Sequence, residues 1–310
     1  MYNDGSYMKE NIESITNCGF VAIIGRPNVG KSTLLNSLVA EKISITADKP
    51  QTTRHRILGI KTIADKQAVY IDTPGIHRYN KKKINQYMNK TAFGALRDVD
   101  VVIFVIEALI WTEEDGLVLE KINKIDRPII LVINKIDLHK DKEVLLPYLE
   151  SIAKKANFTA IVPISAKKNL QVEELQTMIF KMLPESPLFF PANQITNCSE
   201  KFRLAEILRE KLTRALAKEL PYALTVEIER LEQIDDQTVV HAIIWVERDS
   251  QKKIVIGKGG EMLKSIGTKA RLDMNKVFDR RVRLQLWVKV RAGWTNDNKA
   301  LQNFGYMDIN

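Results

Sequence analysis

Five short motifs rich in glycine, lysine, hydroxyl and carboxylate side chains follow one another in the first half of the chain. In chain order they are 25–32 (GRPNVGKS), 52–53 (TT), 72–75 (DTPG), 134–137 (NKID) and 165–167 (SAK). The first has the spacing of a loop whose backbone N–H groups surround phosphates while a lysine adds positive charge. It predicts a nucleotide phosphate site, for which the candidate residues are Gly25, Asn28, Val29, Gly30, Lys31, Ser32 and Thr33.

The NKID motif indicates which base is bound. An aspartate can accept hydrogen bonds from both the ring N–H and the amino group of guanine, an arrangement that adenine cannot offer. NKID occurs twice, at 123–126 and 134–137, but only the second copy follows an apolar run of strand type, 129–133. Ligands in open α/β sheets bind beyond the carboxyl ends of the strands, so the first copy is assigned to the surface. By the same rule the predicted base-site residues are Asn134, Lys135, Asp137, Ser165, Ala166 and Lys167.

The DTPG motif predicts the metal and hydrolysis site, although the string alone is also an ordinary turn. Because it follows the strand-like run 68–71, Asp72 can hold Mg²⁺ through water beside the Ser32 hydroxyl. The Gly75 N–H can bind the terminal phosphate, and water is expected to attack the γ-phosphate in line. Ile76 stands where many GTPases carry a water-orienting glutamine, so we expect slow GTP hydrolysis, below about one turnover per minute.

The elements that position these motifs alternate between strand and helix from about residue 20 to Lys181. This pattern predicts an α/β fold with a doubly wound parallel sheet. Three prolines between 184 and 191 predict a semi-rigid, extended linker. The chain is therefore divided into an N-terminal extension (1–17), a GTPase domain (18–183), a Pro-rich linker (184–197) and a second domain with a C-terminal tail (198–310).

The second domain combines predicted helices and strands with concentrated positive charge. A helix is expected over 199–220, with Ser199 as its N-cap and Pro221 as its stop, followed by strands over 223–229 and 238–247. Twelve basic and three acidic residues lie between 251 and 291, a surplus equal to the formal net charge of +9 of the whole chain. Such a face favours nucleic-acid phosphates or anionic lipid, and a solvated charged helix is the plainer alternative.

A Gly-x-x-Gly loop at 257–260 strengthens the nucleic-acid interpretation, because such a loop lets the backbone approach phosphates closely in KH domains. The apolar triplet before it, 254–256, could be a strand by composition or the end of a short helix, as in KH domains, and the sequence leaves both open. The candidate RNA-binding residues are Ile256, Gly257, Lys258, Gly259, Gly260, Lys264, Lys269 and Arg271.

The motifs GxPNxGKS, QTTRHR (51–56) and DTPG, with the Pro-rich linker and IGKGG (256–260), resemble those of the Era family of bacterial GTPases from about residue 18 onward. The resemblance implies a P-loop GTPase domain, an α+β KH domain of type II, and GTP, GDP and Mg²⁺ as ligands. It also implies binding to the 3′ end of 16S rRNA and its neighbouring helix, and action in assembly of the 30S ribosomal subunit.

The same resemblance assigns roles to individual residues. Thr53, rather than Thr52, would close over Mg²⁺ and the γ-phosphate, and Asn28 matches a position at which related GTPases coordinate K⁺. The catalytic candidates are Lys31, Thr53 and Gly75, and the metal candidates are Ser32, Thr53 and Asp72.

Composition and the first residues bear on location. The chain is 45% hydrophobic, and no apolar run approaches the roughly 18 residues that span a bilayer. Residues 1–17 lack the features of a secretion signal, and two cysteines suit a reducing compartment. The four histidines, His55, His77, His139 and His241, show no metal-ligand spacing. We expect a bacterial cytoplasmic protein, with the inner membrane face as a second location implied by the resemblance and no stable protein partner deducible.

Three rival interpretations remain at this stage. A P-loop ATPase or small-molecule kinase would share the phosphate loop but has no reason to carry NKID. An RNA-binding scaffold with a vestigial nucleotide domain would not need Lys31, Ser32, Asp72 and Asp137 together. A peripheral membrane GTPase, or an RNA-binding GTPase with another partner, could use the same basic face.

Overall fold

The computed structural model describes residues 16–49, 51–76, 82–139 and 143–306. The first domain contains strands β1 (Asn17–Ile24), β2 (Ile57–Ile63), β3 (Lys66–Asp72), β4 (Val101–Glu107), β5 (Ile129–Asn134) and β6 (Ala160–Pro163), and helices α1 (Lys31–Val39), α2 (Lys83–Gly94), α3 (Glu113–Ile122), α4 (Leu145–Ala153) and α5 (Val172–Met182). The strand order is β2-β3-β1-β4-β5-β6. Of the predicted N-terminal extension, residues 1–15 lie outside the described part, and β1 begins at Asn17.

The central strands are apolar on both faces, because helices cover the sheet from both sides. Every residue of β5 is buried, as are six of the seven residues of β4. Strands β3, β1, β4, β5 and β6 run parallel, so their carboxyl ends meet at one edge of the sheet. The predicted doubly wound α/β fold is confirmed, and this edge is where the sequence motifs gather.

One strand departs from the predicted parallel arrangement. β2 pairs with β3 in antiparallel register, Ile57 opposite Asp72 and Ile63 opposite Lys66. Only two residues separate the strands, and Ala64 adopts a left-handed backbone conformation with φ 52°. A two-residue connection can join antiparallel strands, whereas parallel strands need a crossover of a dozen or more residues.

The Pro-rich segment is extended but is not a free spacer. Phe189 stacks on Phe20 of β1 with ring centroids 5.0 Å apart, and Gln67 Nε2 donates to the Phe190 carbonyl at 2.8 Å. The Ile60 N–H of edge strand β2 donates to the Ile195 carbonyl at 2.8 Å. The segment therefore covers part of a sheet edge that would otherwise expose unpaired backbone groups.

The second domain has the element order α-β-β-α-α-β. Its elements are α6 (Glu200–Ala215), β7 (Leu224–Ile234), β8 (Gln237–Val246), α7 (Asp249–Ile256), α8 (Glu261–Phe278), β9 (Arg281–Val290) and the short terminal helix α9 (Asn298–Asn303). β8 pairs antiparallel with β7 and parallel with β9. Helices α6 and α8 pack against this sheet around a core that includes Leu208, Val240 and Met274. This arrangement confirms the expected α+β KH domain.

The structure corrects one prediction for this domain, the end of α6, and decides another that the sequence left open, the conformation of 254–256. The prediction that α6 runs to residue 220 was wrong, because Leu216 takes an extended conformation and buries its side chain. The Thr213 carbonyl at the end of α6 accepts from Lys49 Nζ at 2.7 Å, and no local sequence signal reports such a distant partner. The triplet 254–256 ends helix α7 and is not a strand. Among the described residues, no helix is both long and apolar enough to cross a bilayer.

Candidate nucleotide site and nucleic-acid interface

The phosphate loop connects the carboxyl end of β1 to the N-terminus of α1. Gly30, the N-cap of α1, has φ 99°, and a Cβ there would lie 2.3 Å from Asn134 Nδ2. At Gly25 a Cβ would lie 2.3 Å from the Val105 carbonyl oxygen. Any side chain would clash at these two positions, so both must be glycine. The tight turn that they allow directs the first N–H groups of α1 into a cleft of about 790 Å³.

Lys31 lies in this cleft but is almost fully buried, with 6% of its surface exposed. Its ammonium group donates to the carbonyl oxygens of Gly25 (3.0 Å) and Arg26 (2.8 Å). Burial lowers the pKa of Lys31 to about 8, and the nearby Asp72 carboxylate opposes that shift. A desolvated cation of this kind interacts strongly with phosphate oxygens.

Four oxygen-bearing side chains converge beside the phosphate loop, and one of them, the buried Ser44, was not found from the sequence; its hydroxyl donates to Asp72 Oδ2 at 2.9 Å. Ser32 Oγ lies 2.7 Å from both Asp72 Oδ2 and Thr53 Oγ1, and Thr53 Oγ1 lies 3.3 Å from Asp72 Oδ2. Asp72 is fully buried, and burial raises its pKa. Its Oδ1 atom has no hydrogen-bond partner among the described residues. A hydroxyl and carboxylate set with an unsatisfied oxygen fits a hard cation such as Mg²⁺.

The two threonines of the TT motif face different partners. Thr53 points to Ser32, whereas the Thr52 hydroxyl donates to the Lys49 carbonyl at 2.6 Å. Gly75 lines the cleft, and a Cβ on it would lie 2.9 Å from the Cα of Pro27. The next residue, Ile76, is buried in the core with 5% exposure. Residues 77–81 lie outside the described part of the chain.

The NKID and SAK motifs are joined by hydrogen bonds at the ends of β5 and β6. Asn134 Nδ2 donates to the Val29 carbonyl at 2.8 Å, and Asn134 Oδ1 accepts from the Ala166 N–H at 3.0 Å. Ser165 Oγ donates to Asp137 Oδ1 at 2.6 Å. Asn134, Lys135, Asp137 and Lys167 line the same cleft as the phosphate loop. The first NKID copy follows the C-terminal end of α3, is mostly exposed and does not line this cleft.

Sequence reasoning missed a carboxylate that links the two halves of the nucleotide site. Glu107 at the carboxyl end of β4 accepts from Arg26 Nη2 at 3.2 Å and from Lys135 Nζ at 2.9 Å. Arg26 also pairs with the fully buried Asp115 at 3.1 Å. The strand-end rule that selected Asn134 could have found Glu107, because it terminates the buried run of β4.

The glycine loop of the KH domain lies between α7 and α8. Gly257, Gly259 and Gly260 have φ angles of 75°, 58° and 82°, so the loop uses left-handed backbone that favours glycine. Lys258 between them is exposed. A groove of about 370 Å³ adjoins the loop and is lined by Gly260, Leu263, Lys264, Gly267, Thr268, Arg271, Leu284 and Leu286.

The structure divides the predicted RNA-binding residues. Lys264 and Arg271 line the groove, whereas Lys269 is exposed on α8 outside it, and Ile256 packs against the domain core. Several other cations of the basic segment are paired with acids, which reduces the free charge of this face. These pairs are Arg280 with Glu200, Lys289 with Glu229 and Arg291 with Asp297.

The loop that carries Thr53 contacts the KH domain directly. Arg54 is 1% exposed, and its guanidinium donates to the carbonyl oxygens of Pro221 (2.8 Å) and Leu224 (2.7 Å). Arg209 of α6 donates to the Thr52 carbonyl. The residues on either side of Thr53 are thus bonded to the second domain.

A second set of charged contacts joins the start of this loop to α6 and α8. Lys42 pairs with Glu210 at 2.6 Å and with Asp273 of α8 at 3.2 Å. The Thr46 N–H donates to Glu210 Oε1 at 3.1 Å. Asp273 lies on the same helix as the groove residues Lys264 and Arg271, so that helix contacts the GTPase domain directly.

The C-terminal segment packs into the same interface. His55 stacks on Tyr306 with ring centroids 4.5 Å apart, and burial lowers the pKa of His55 to about 4. Trp294 and Tyr306 also pack against Ile84 of α2. Of the four histidines, His77 lies outside the described residues.

Comparison with known proteins agrees with this geometry. The profile of the 50S ribosome-binding GTPase family matches residues 20–135, and that of the KH domain matches residues 219–295. The chain is therefore a P-loop GTPase joined to a C-terminal KH domain. It is 52% identical over 300 residues to the GTPase Era of Marinobacter nauticus, which covers 97% of this chain and 98% of that protein. The chain belongs to the Era family.

Two solved structures share the complete architecture. Aquifex aeolicus Era bound to GDP·AlF4⁻ is 38% identical and covers 94% of this chain and 99% of its own, with a TM-score of 0.91. An Era complex with MgGDPNP and nucleotides 1506–1542 of 16S ribosomal RNA is 39% identical with the same coverage and TM-score. These relatives hold guanine nucleotide, and one also holds magnesium.

Proposed function

We propose that this GTPase is a GTP-controlled factor that binds the 3′ end of 16S rRNA and acts in assembly of the 30S ribosomal subunit. The control of RNA binding by GTP rests on one observation: the residues on both sides of Thr53 are bonded to the KH domain. The solved Era complex with 16S rRNA nucleotides supports the choice of RNA. The proposed domain boundaries are those predicted from the sequence: an N-terminal extension (1–17), the GTPase domain (18–183), the Pro-rich linker (184–197) and the KH domain with its C-terminal tail (198–310).

In the proposed hydrolysis, the chain holds the nucleotide and orients an attacking water. Lys31 and the Gly75 N–H bind the outer phosphates, while Asn134, Lys135 and Asp137 hold guanine with support from the 165–167 loop. Ser32, Thr53 and Asp72 would hold Mg²⁺, which when bound neutralises charge on the phosphates. Because Ile76 can neither donate nor accept a hydrogen bond, the water has no side chain at that position to orient it.

For RNA, we assign the 257–260 loop to backbone phosphates and the adjacent groove to the bases. The loop lets a phosphate come close to its backbone, and Lys258 in it is exposed. Lys264 and Arg271 supply positive charge beside the apolar wall of the groove. Lys269 lies outside the groove and is expected to add only long-range attraction.

A fluorescence anisotropy titration tests the RNA assignment. The full chain with a GTP analogue is titrated into a fragment of the 16S rRNA 3′ end and into a scrambled RNA of equal length. A Cβ at Gly259 meets no atom within 4 Å, so Gly259→Asp adds a carboxylate that repels phosphate without a steric clash, while its φ of 58° strains any side chain there. Gly259→Asn carries the same strain without the charge. We expect preference for the native fragment and its loss in Gly259→Asp. Lys264→Ala should weaken binding more than Lys269→Ala. Equal binding of both RNAs, or no effect of Gly259→Asp, would refute the assignment.

Potassium dependence is a further part of the proposal. Asn28 lies at the mouth of the cleft, where its amide donates to the Asp48 carbonyl at 3.2 Å. No described residue donates to its side-chain oxygen, which would bind a monovalent cation near the phosphates. We expect faster GTP hydrolysis in KCl than in NaCl of equal ionic strength, and equal rates would dismiss this role.

We place the protein in the bacterial cytoplasm. The alternative, action at the membrane surface, predicts co-sedimentation with anionic vesicles that weakens as the salt concentration rises. Sedimentation that matches the result with neutral vesicles would remove it.

A further inference from the structure

We propose that Arg209, on the first helix of the KH domain, is a positioning residue for Thr53 in the GTPase site. This inference rests on the proposed role of Thr53 in holding Mg²⁺. It assigns to the RNA-binding domain a side chain that sets the geometry of GTP hydrolysis, 156 positions away along the chain.

The argument begins with the hydrogen bond from Arg209 to the Thr52 carbonyl. That carbonyl and the Thr53 N–H belong to one planar peptide group. A donor that fixes the carbonyl therefore fixes the orientation from which Thr53 projects. In this arrangement the Thr53 hydroxyl lies 2.7 Å from Ser32 Oγ.

Arg209 is itself held rigidly. Its Nε and Nη2 atoms donate to the two carboxylate oxygens of Glu206, each at 2.6 Å. Arg209 is 2% exposed and Glu206 is 5% exposed, so water does not compete for these contacts. The bidentate pair leaves the second N–H of Nη2 for the Thr52 carbonyl, a geometry of the planar guanidinium that a flexible point charge cannot reproduce.

A second anchor lies on the other side of Thr53. Arg54 donates to the carbonyl oxygens of Pro221, in the connection between α6 and β7, and of Leu224, the first residue of β7. Thr53 is therefore held between two contacts with the same domain. A movement of the KH domain would displace both anchors together, so hydrolysis would respond to how the KH domain is docked, and RNA binding would be linked to it.

The test uses the full chain with a charge-balanced variant, Glu206→Gln/Arg209→Met, because removing one partner alone would leave a buried unpaired charge. The matched control is Glu232→Gln/Arg230→Met, the same charge-balanced change in an exposed ion pair on β7. Arg230 and Glu232 pair with no described residue of the GTPase domain. Readouts are GTP hydrolysis against Mg²⁺ concentration, GDP affinity, and hydrogen exchange of residues 51–55.

We expect the double variant to hydrolyse GTP about tenfold to a hundredfold more slowly than the control, since small misplacements of a catalytic group cost this much. It should also need more Mg²⁺ and exchange faster at 51–55, with GDP affinity unchanged. An Arg209→Lys variant should fall between the parent and the double variant.

The proposal would be overturned if the double variant matched the control in its rate of GTP hydrolysis, in the Mg²⁺ concentration that it requires and in hydrogen exchange at 51–55. A loss of GDP affinity with faster exchange throughout the GTPase domain would also overturn it, because that would mean general loosening. The result is independent of the RNA assignment: if the parent chain ignores the 16S rRNA fragment but the double variant behaves as expected, only the RNA proposal fails.

Discussion

The side-chain oxygens of Ser32 and Thr53 lie 2.7 Å apart although 21 positions separate the residues in sequence. Ser32 lies in the first turn of α1, the helix behind the phosphate loop. Thr53 lies in the loop before β2, and both of its sequence neighbours are bonded to the KH domain. The proposed metal site is thus completed by a segment whose position depends on a second domain. In the proposed function, this relationship links GTP hydrolysis to the domain that binds RNA.

Removing the Thr53 hydroxyl should affect hydrolysis more than removing that of Thr52. Thr53→Val keeps the shape but loses the oxygen beside Ser32 and Asp72, so we expect GTP hydrolysis to fall at least about tenfold, as for other losses of one transition-state contact. Thr52→Val, the matched control, loses bonds only to the carbonyls of Lys49 and Ala47, outside the proposed metal site. Single-turnover rates at saturating Mg²⁺ measure the difference. A larger effect at Thr52 would contradict the assignment.

Exchanging the carboxylate of the second NKID copy should change base preference. Asp137→Asn loses acceptance of the guanine amino group but can donate to the carbonyl that xanthine carries there, so GTP affinity should fall by about 2 kcal/mol and XTP affinity should rise. Asp126→Asn makes the same change in the exposed first copy and should leave both affinities unchanged. Competition against a fluorescent nucleotide reads out both. An effect at Asp126 equal to that at Asp137 would refute the choice between copies.

Nucleotide binding should take up a proton near pH 8. Burial lowers the pKa of Lys31 to about 8 in the protein alone, and bound phosphates add negative charge that raises it again. Through Lys31, affinity for GDP without added metal is therefore expected to change little near pH 7, where the terminal phosphate is already ionised, and to fall above pH 8, approaching about tenfold per pH unit. Calorimetry at pH 8 in two buffers of different ionisation enthalpy measures the proton uptake, and equal heats in both would contradict the prediction.

Acid should weaken the domain interface through His55. Burial lowers its folded-state pKa to about 4, so between pH 6.5 and 4 the unfolded chain binds a proton on His55 that the folded protein does not. Stability should therefore fall as pH drops through this window, by about 3 kcal/mol in total from this group. Denaturant unfolding of the parent and of His55→Gln, which cannot titrate, measures the contribution. Parallel pH profiles for the two proteins would rule it out.

The local elements of the GTPase domain were predictable because their signals lie within short windows. Apolar runs marked β1, β3, β5 and β6, and the strand-end rule placed Asn134 and Asp137 at the cleft while leaving the first NKID copy on the surface. Such signals work because a buried parallel strand needs a continuous apolar run whatever its neighbours are.

The domain interface was not predictable, because its contacts join residues that are far apart in sequence. Arg54 and His55 lie in a polar run that is typical of an exposed loop. Partners from the far end of the chain, including Tyr306, nevertheless bury Arg54 and partly bury His55. Contacts across 252 positions depend on how finished domains dock and leave no periodicity in sequence. The early end of α6 has the same origin, because Lys49 of the other domain donates to the Thr213 carbonyl in its last turn.

The most direct test of the account compares the affinity of the full chain for a 16S rRNA 3′ fragment with a GTP analogue and with GDP. If the loop around Thr53 links the nucleotide to the KH domain, RNA should bind at least about fivefold more tightly in the GTP-analogue state, within the usual range of allosteric coupling. The Glu206→Gln/Arg209→Met variant should narrow that ratio. Equal RNA affinities in the two nucleotide states of the parent chain would contradict the account.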